Sequence, residues 1–220
     1  MIREILNLLS KDNLQVQALS ECYEMLDLCH RMVHASVESL RQRDDASIDV
    51  DIGQLDKRLN SFERDVRRKV MTHLSLGHTA DIASGLVLVS IVIDLERIGD
   101  YTKNIYGLAR QHPSRLTAGP NEERLTTIEQ NALDNFDRTV SAFKSGDLEE
   151  ARRLMKEYKD EISRPCADFE EMLVKGESRL ESGEAVALAL YLRFMKRISA
   201  HSRNLISSLV NPFDRIGYGE

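Results

Sequence analysis

The sequence predicts an all-α protein made of two tandem three-helix bundles that are related by internal duplication. Apolar residues recur every three or four positions along most of the chain, which is the period of an amphipathic helix. The 220 residues include only 4 Pro and 11 Gly, and aromatic side chains make up 5%, so turn and strand formers are scarce. A linker that contains Pro and Gly then separates two halves with the same pattern.

The first half contains three long predicted helices. They cover about residues 14–42, 52–74 and 79–111, and a short helix over residues 2–9 precedes them. Residues 86–93 are rich in β-branched side chains and resemble a buried strand. Helical periodicity continues past them, however, and favours one buried central helix.

The second half repeats this design after a linker that contains Pro113 and Gly119. Its helices are predicted over about residues 122–144, 148–174 and 183–210. Pro165 should kink or interrupt the middle one, because proline lacks a backbone donor and clashes with the preceding turn. Asp147 is a predicted N-cap, with Glu150 as its capping-box partner. Short turns between long helices make neighbours antiparallel, so we expect one repeat over residues 1–116 and another over residues 121–220.

The third helices of the two halves are similar to each other. Residues 94–105 (DLERIGDYTKNI) align with residues 194–205 (FMKRISAHSRNL) at a register of 100. Identical residues are found at three aligned pairs: Arg97 and Arg197, Ile98 and Ile198, Asn104 and Asn204. Such self-similarity indicates a duplicated unit. The acidic side chains differ, since Lys196 and Ala200 stand where the first copy has carboxylates.

Those carboxylates, Glu96 and Asp100, are a candidate cation site. Residues four apart lie on one face of a helix about one turn from each other. Like charges at that spacing repel by about a few tenths of a kcal/mol, so a neighbouring cation is expected. Lys103, Arg97 or a metal ion would serve, and paired carboxylates favour a hard ion.

A second polar set on the preceding helix has similar spacing. Asp56, Asn60 and Glu63 are separated by four and three residues, and they would face the first set if the two helices are neighbours. Carboxylates at such spacings are also common on solvated helix faces. Spacing alone therefore leaves a metal-free face open.

Charge and hydropathy exclude several functions. The formal net charge of -6 argues against nucleic-acid binding, which depends on neutralising phosphates. The N-terminus lacks a basic-then-apolar signal pattern. The longest apolar stretch, residues 86–93, is far shorter than the roughly 20 residues of a membrane span. We expect a soluble cytoplasmic protein with reduced, buried thiols at Cys22, Cys29 and Cys166.

Enzymatic activity is not expected. A di-iron bundle would need Glu-x-x-His pairs, and the sequence has none; residues 27–30 (DLCH) come nearest. His30 and His34 share a helix face at a spacing that can chelate a metal, although this is also typical of polar edge residues. An activated nucleophile and a glycine-rich phosphate loop are both lacking.

Three segments together resemble the PhoU family. Residues 94–100 (DLERIGD), followed by Asn104 and Ile105, are similar to the family signature D-L-E-R-I-G-D-x-x-x-N-I. Residues 56–60 (DKRLN) resemble the acidic motif of the preceding helix, and residues 142–151 (AFKSGDLEEA) resemble the turn that opens the second half.

This resemblance implies a fold of two three-helix bundles, dimerisation into a homodimer, and metal-binding E/D-x-x-x-D motifs. Carried over to this chain, the metal ligands would be Glu96, Asp100, Asp56 and Asn60, for an ion such as Fe, Mn, Mg or Zn. It also implies a role in restraining phosphate uptake and phosphate-starvation signalling. The partner would be a phosphate transporter component or a sensor kinase, which would bring a cytoplasmic protein to the inner membrane.

The second half departs from the family pattern. Lys196 and Ala200 replace one acidic pair, and Lys159 and Ser163 replace the other. We therefore expect a metal on the first bundle only, with the second bundle kept for partner or dimer contacts. The alternative is a metal-free helical adaptor without a phosphate role.

Overall fold

A computed structural model of the chain describes residues 13–218, and these are helical without a strand. The helices are α1 (Leu14–Gln42), α2 (Ile52–Ser75), α3 (Ile82–Gln111), α4 (Glu122–Ser145), α5 (Leu148–Glu157), α6 (Arg164–Val174) and α7 (Ser182–Ser207). A π-helical segment, Tyr158–Ser163, joins α5 to α6, so these two form the middle helix of the second half. The all-α prediction is confirmed, and the predicted helix at residues 2–9 lies outside the described range.

The first bundle consists of α1, α2 and α3, each packed against the other two. The Asn13 side chain caps α1 by accepting from the backbone of Gln15 and Val16, and Asp51 caps α2. Such caps satisfy amide donors that the first helical turn leaves free. Residues 86–93 lie within α3, so the helical interpretation of this β-branched stretch is confirmed.

The second bundle begins with α4, which ends at Gly146 with a φ of 70°. This left-handed conformation is accessible to glycine without a Cβ clash. Asp147 then caps α5 by accepting from the backbone of Glu149 and Glu150, as predicted. The predicted capping-box role of Glu150 is wrong. Its carboxylate pairs with Arg138 at 2.6 Å, while the Asp147 amide donates to the Ala142 carbonyl.

The interruption predicted at Pro165 is present, but it begins before the proline. Pro165 cannot donate to the carbonyl that lies four residues before it. The chain widens into the π-helical segment immediately upstream, where the Arg164 amide donates to the carbonyl of Lys159, five residues back. Pro165 itself lies in the first turn of α6, and the Glu161 carbonyl, to which it cannot donate, accepts from the Asn131 side chain at 3.5 Å.

The two bundles pack against each other through α3 and α7, the two helices that carry the repeat. Asp94 of α3 contacts His201 of α7 at 2.7 Å, and the equivalent pair, Phe194 and Tyr101, is in ring contact at 6.2 Å. These two contacts run in opposite directions along the helices, as expected for antiparallel copies related by an approximate twofold axis. The duplication therefore also organises the packing between bundles.

A polar network joins the bundles at a second place. The Arg41 guanidinium of α1 is 2.8 Å from Glu129 of α4 and 2.5 Å from Glu122. Tyr191 of α7 donates to Glu129 at 2.5 Å. Buried apolar residues from both bundles form one continuous cluster, and Cys22, Cys29 and Cys166 are buried free thiols within it, as predicted.

Candidate functional site

The candidate site lies on the first bundle, where α2 and α3 pack closely. Gly99 of α3 faces Leu59 of α2, and a Cβ at position 99 would lie 2.4 Å from Leu59 Cδ1. Leu59 is 1% exposed. The missing side chain of Gly99 therefore allows close approach of the two helices. Polar residues on either side of this contact consequently face one another across the helix pair.

Lys103 of α3 bridges the two helices at one end of this face. Its Nζ donates to Asp56 of α2 at 2.9 Å and to Asp100 of its own helix at 3.1 Å. Burial opposes the charged lysine, but hydrogen bonds to both carboxylates outweigh it and raise the pKa of Lys103. The lysine thus neutralises the end of the face at which Asp56 and Asp100 meet.

Glu96 lies one turn before Asp100 and is less well neutralised. Partial burial raises the pKa of its carboxyl group, and the neighbouring carboxylates Asp100 and Glu63 raise it further. Arg97 partly compensates, since its guanidinium lies 3.7 Å from Glu96 and 3.4 Å from Asp100. Excess negative charge therefore remains around Glu96, where another cation would be favourable.

The structure brings most of the predicted acidic residues together. Asp56, Glu96 and Asp100 share this face, which we call the acidic face, together with Glu63. Asn60 is half-buried one turn after Asp56 and takes no part in the Lys103 bridge. Of the cations expected from sequence, both Lys103 and Arg97 are in place. The carboxylate oxygens suit a hard metal ion, which would have to displace Lys103 from Asp56 and Asp100.

In the second bundle, a lysine occupies the position that is equivalent to Glu96. Lys196, which aligns with Glu96, has its Nζ 4.0 Å from a carboxylate oxygen of Glu170. A covalently attached ammonium thus stands where the first bundle has a carboxylate.

Two clusters that combine histidines with a carboxylate were not predicted. Three ligand atoms lie within 4.8 Å of one another in each: His30, His34 and Asp137 in one, and His73, His78 and Asp81 in the other. Among residues 13–218 these are the groups of three or more His, Cys, Asp or Glu side chains with ligand atoms this close together, and the carboxylates of the acidic face are not among them. The i,i+4 spacing of the first two histidines was visible in the sequence. Asp137 was not, because it lies 103 residues beyond His34.

Fold and site together define an all-α protein of two packed three-helix repeats, with an acidic face on the first repeat. The sequence profile of the PhoU domain matches the chain twice, at residues 22–109 and 125–209. The chain therefore belongs to the PhoU domain family. None of the curated proteins matches it.

Two crystal structures share this fold. PhoU from Pseudomonas aeruginosa has a TM-score of 0.73 and 22% sequence identity, with 88% of this chain and 94% of that chain covered. The phosphate transport system regulatory protein PhoU from Streptococcus pneumoniae has a TM-score of 0.70 and 14% identity, with 88% and 92% covered. At these identities the similarity establishes the fold.

Proposed function

We propose that this protein is a PhoU-like regulator of phosphate uptake or of phosphate-starvation signalling. It acts without catalysis, by contact with a transporter component or a sensor kinase. The observation that carries this proposal is the PhoU domain match over both repeats. The similarity to a phosphate transport system regulatory protein supports it. We further propose that it works as a cytoplasmic homodimer, which its partner brings to the inner membrane.

The acidic face is the basis of a second proposal, that the protein binds a metal. We propose that Glu96, Asp100 and Asp56 hold a cation such as Fe, Mn, Mg or Zn, with Asn60 as a further oxygen donor one turn along α2. The pKa of Glu96 is raised first by partial burial and then by the neighbouring carboxylates of Asp100 and Glu63, and this second contribution supports the proposal. A bound ion would compensate these negative charges, while Lys103 turns outward to solvent.

The alternative is a metal-free adaptor, and one contact favours it. Lys103 already bridges Asp56 and Asp100 at 2.9 and 3.1 Å, so the face has a permanent cation at one end. If the lysine stays there, the acidic face is a structural element of the α2–α3 pair. The two possibilities differ in what happens when Lys103 is removed.

The metal proposal is tested by measuring Mn²⁺ binding to the purified full-length protein at equilibrium. Lys103→Met frees two carboxylates, so it should bind Mn²⁺ more tightly than the wild type, by roughly tenfold. Glu96→Gln combined with Asp100→Asn should lose this binding. Mn²⁺ is used because it prefers oxygen ligands and discriminates against the histidine clusters.

Lys69→Met is the matched control for this experiment. Lys69 pairs with Glu21 elsewhere on the first bundle, so its removal changes net charge equally without touching the acidic face. Equal Mn²⁺ affinity in Lys103→Met and Lys69→Met would contradict the metal proposal and favour the adaptor.

The regulatory proposal is tested in cells. Deletion of the gene should raise the uptake of radioactive phosphate, and the wild-type gene should restore it. Affinity capture of the tagged protein from membranes should recover a phosphate transporter component or a sensor kinase, identified by mass spectrometry. Unchanged phosphate uptake after deletion, with neither partner recovered, would refute the proposal.

A further inference from the structure

His30 and His34 of α1 converge on one carboxylate of α4. The Nε2 atoms of His30 and His34 lie 2.9 Å and 2.7 Å from the same oxygen, Oδ1 of Asp137. The two histidines belong to the first bundle and the aspartate to the second. We propose that these three side chains form a binding site for Zn²⁺, and that the bound ion links the two bundles.

The chemistry of the three donors favours zinc over hard ions such as Mg²⁺ and Ca²⁺. Two imidazole nitrogens and one carboxylate oxygen are common zinc ligands, whereas Mg²⁺ and Ca²⁺ favour oxygen alone. Zinc sites with three protein ligands hold water at a fourth position. An ion here would therefore have one open coordination position facing solvent.

The distances require only a small expansion. Ligand atoms around a tetrahedral zinc with bonds near 2.0–2.1 Å lie about 3.3 Å apart. The two histidine nitrogens are now 2.9 Å and 2.7 Å from the aspartate oxygen. Side-chain rotations that separate these atoms by about 0.5 Å would admit an ion without moving the helices.

The site is accessible yet sterically defined. The side chains of His30, His34 and Asp137 are 39%, 39% and 44% exposed, so an ion can enter from solvent. The His30 ring is nevertheless held between the His34 ring, at 4.7 Å, and the Phe136 ring, at 6.2 Å. Restricted rings lose less conformational freedom when they bind a metal.

A metal at this place would reinforce an existing contact between bundles. Lys144 of α4 also pairs with Asp27 of α1, about one turn before His30 along α1. An ion bound by α1 and α4 together would be bound only by the folded chain, so it would stabilise the packing of the two repeats. The second cluster, His73, His78 and Asp81, extends from the last turn of α2 to the start of α3 within the first bundle, so an ion there would not link the two repeats.

The experiment measures Zn²⁺ binding by calorimetric titration of the full-length His78→Ala variant that also carries Glu96→Gln and Asp100→Asn, so that the second cluster and the acidic face are both disabled. We expect one equivalent of Zn²⁺ to bind and to raise the melting temperature. Adding Asp137→Asn should weaken this binding roughly tenfold or more and remove the rise in melting temperature. His34→Gln in the same background should do the same.

Asp134→Asn is the matched control, because Asp134 lies on α4 one turn before the site and pairs with Arg138. It changes the charge equally and should leave Zn²⁺ affinity unchanged. The proposal is overturned if this background variant binds no zinc, or if Asp137→Asn and Asp134→Asn bind it equally. Circular dichroism of each variant without metal confirms that it is folded.

Discussion

At the residue scale, Glu96 shows the effect of gathering several carboxylates on one helix pair. Its carboxyl group is partly buried and faces Asp100 and Glu63, while Arg97 offers only a long contact at 3.7 Å. The pKa of Glu96 is consequently raised from the ordinary value of 4.5. Ionisation of this residue in the folded chain thus destabilises the fold.

The sign of this effect predicts a pH dependence for Glu96→Gln. A raised folded-state pKa means that the folded chain binds the proton more tightly than the unfolded chain. Protonated Glu96 therefore contributes to the stability of the fold. This contribution is fully present below the unfolded pKa of about 4.5 and is lost as pH rises through the folded pKa. Glu96→Gln should therefore raise the melting temperature at pH 7 and do so less at pH 4, measured by calorimetry with a chelator present.

Glu24→Gln provides the control for that measurement. Glu24 forms an exposed ion pair with Arg58 at 3.1 Å, and such pairs contribute little. Its substitution should change the melting temperature slightly at both pH values. A pH-independent shift in Glu96→Gln, similar to that of Glu24→Gln, would contradict the account of the acidic face.

At the element scale, the contact of Gly99 with Leu59 sets the separation of α2 and α3. Lys103 can reach both Asp56 and Asp100 because the two helices approach closely next to it. The middle helix of the second bundle is shaped by a different feature, the π-helical segment Tyr158–Ser163 that precedes Pro165.

Gly99→Ala should destabilise the protein. The new Cβ would meet Leu59 Cδ1 at 2.4 Å, and Leu59 is too buried to move freely. Overpacking costs about 1–3 kcal/mol, more than the roughly 0.5–1 kcal/mol that alanine gains over glycine in a helix. Urea denaturation followed by circular dichroism measures the net loss.

Gly107→Ala is the matched control in the same helix. A Cβ at position 107 would meet nothing within 4 Å, so only the helix preference remains. This variant should be more stable by about 0.5–1 kcal/mol. If both substitutions stabilise the chain, Leu59 yields easily and the close approach does not depend on Gly99.

At the scale of the whole molecule, contacts between repeats convert two bundles into one body. Asp94 belongs to the family signature, yet it is 7% exposed and accepts from Asn204 of the other bundle at 2.9 Å. Asp94 therefore serves the packing of the two bundles, whereas Glu96 and Asp100 belong to the acidic face. None of the helices between residues 13 and 218 has the length and apolar character to cross a membrane.

Arg41→Met should weaken the attachment of the bundles. The Arg41 side chain is 6% exposed and its partner Glu129 13% exposed, so the substitution leaves a buried carboxylate without its cation. Loss of one partner from a buried pair costs about 3–5 kcal/mol. We expect a large fall in the urea midpoint, whereas Arg68→Met, at an exposed pair with Asp65, should cost about 1 kcal/mol or less. Similar midpoints for the two variants would show that this network does not hold the bundles together.

The sequence predicted much of the fold because helix formation depends on local pattern. Periodic apolar residues located every long helix of the described range, including residues 86–93 within α3. Gly146 and Asp147 marked the turn between α4 and α5. The role of Glu150 was predicted wrongly, because its carboxylate pairs with Arg138 of the neighbouring helix, a contact that arises from helix packing.

The candidate sites divide in the same way. The sequence by itself determined the family, the duplication, and the positions of Glu96 and Asp100, since residues four apart on one helix must share a face. Only the tertiary structure decided that Lys103 reaches Asp56 across the helix pair. It alone brought Asp137 to His30 and His34. Contacts between distant segments depend on how helices pack, and no local pattern records which carboxylate a histidine will meet.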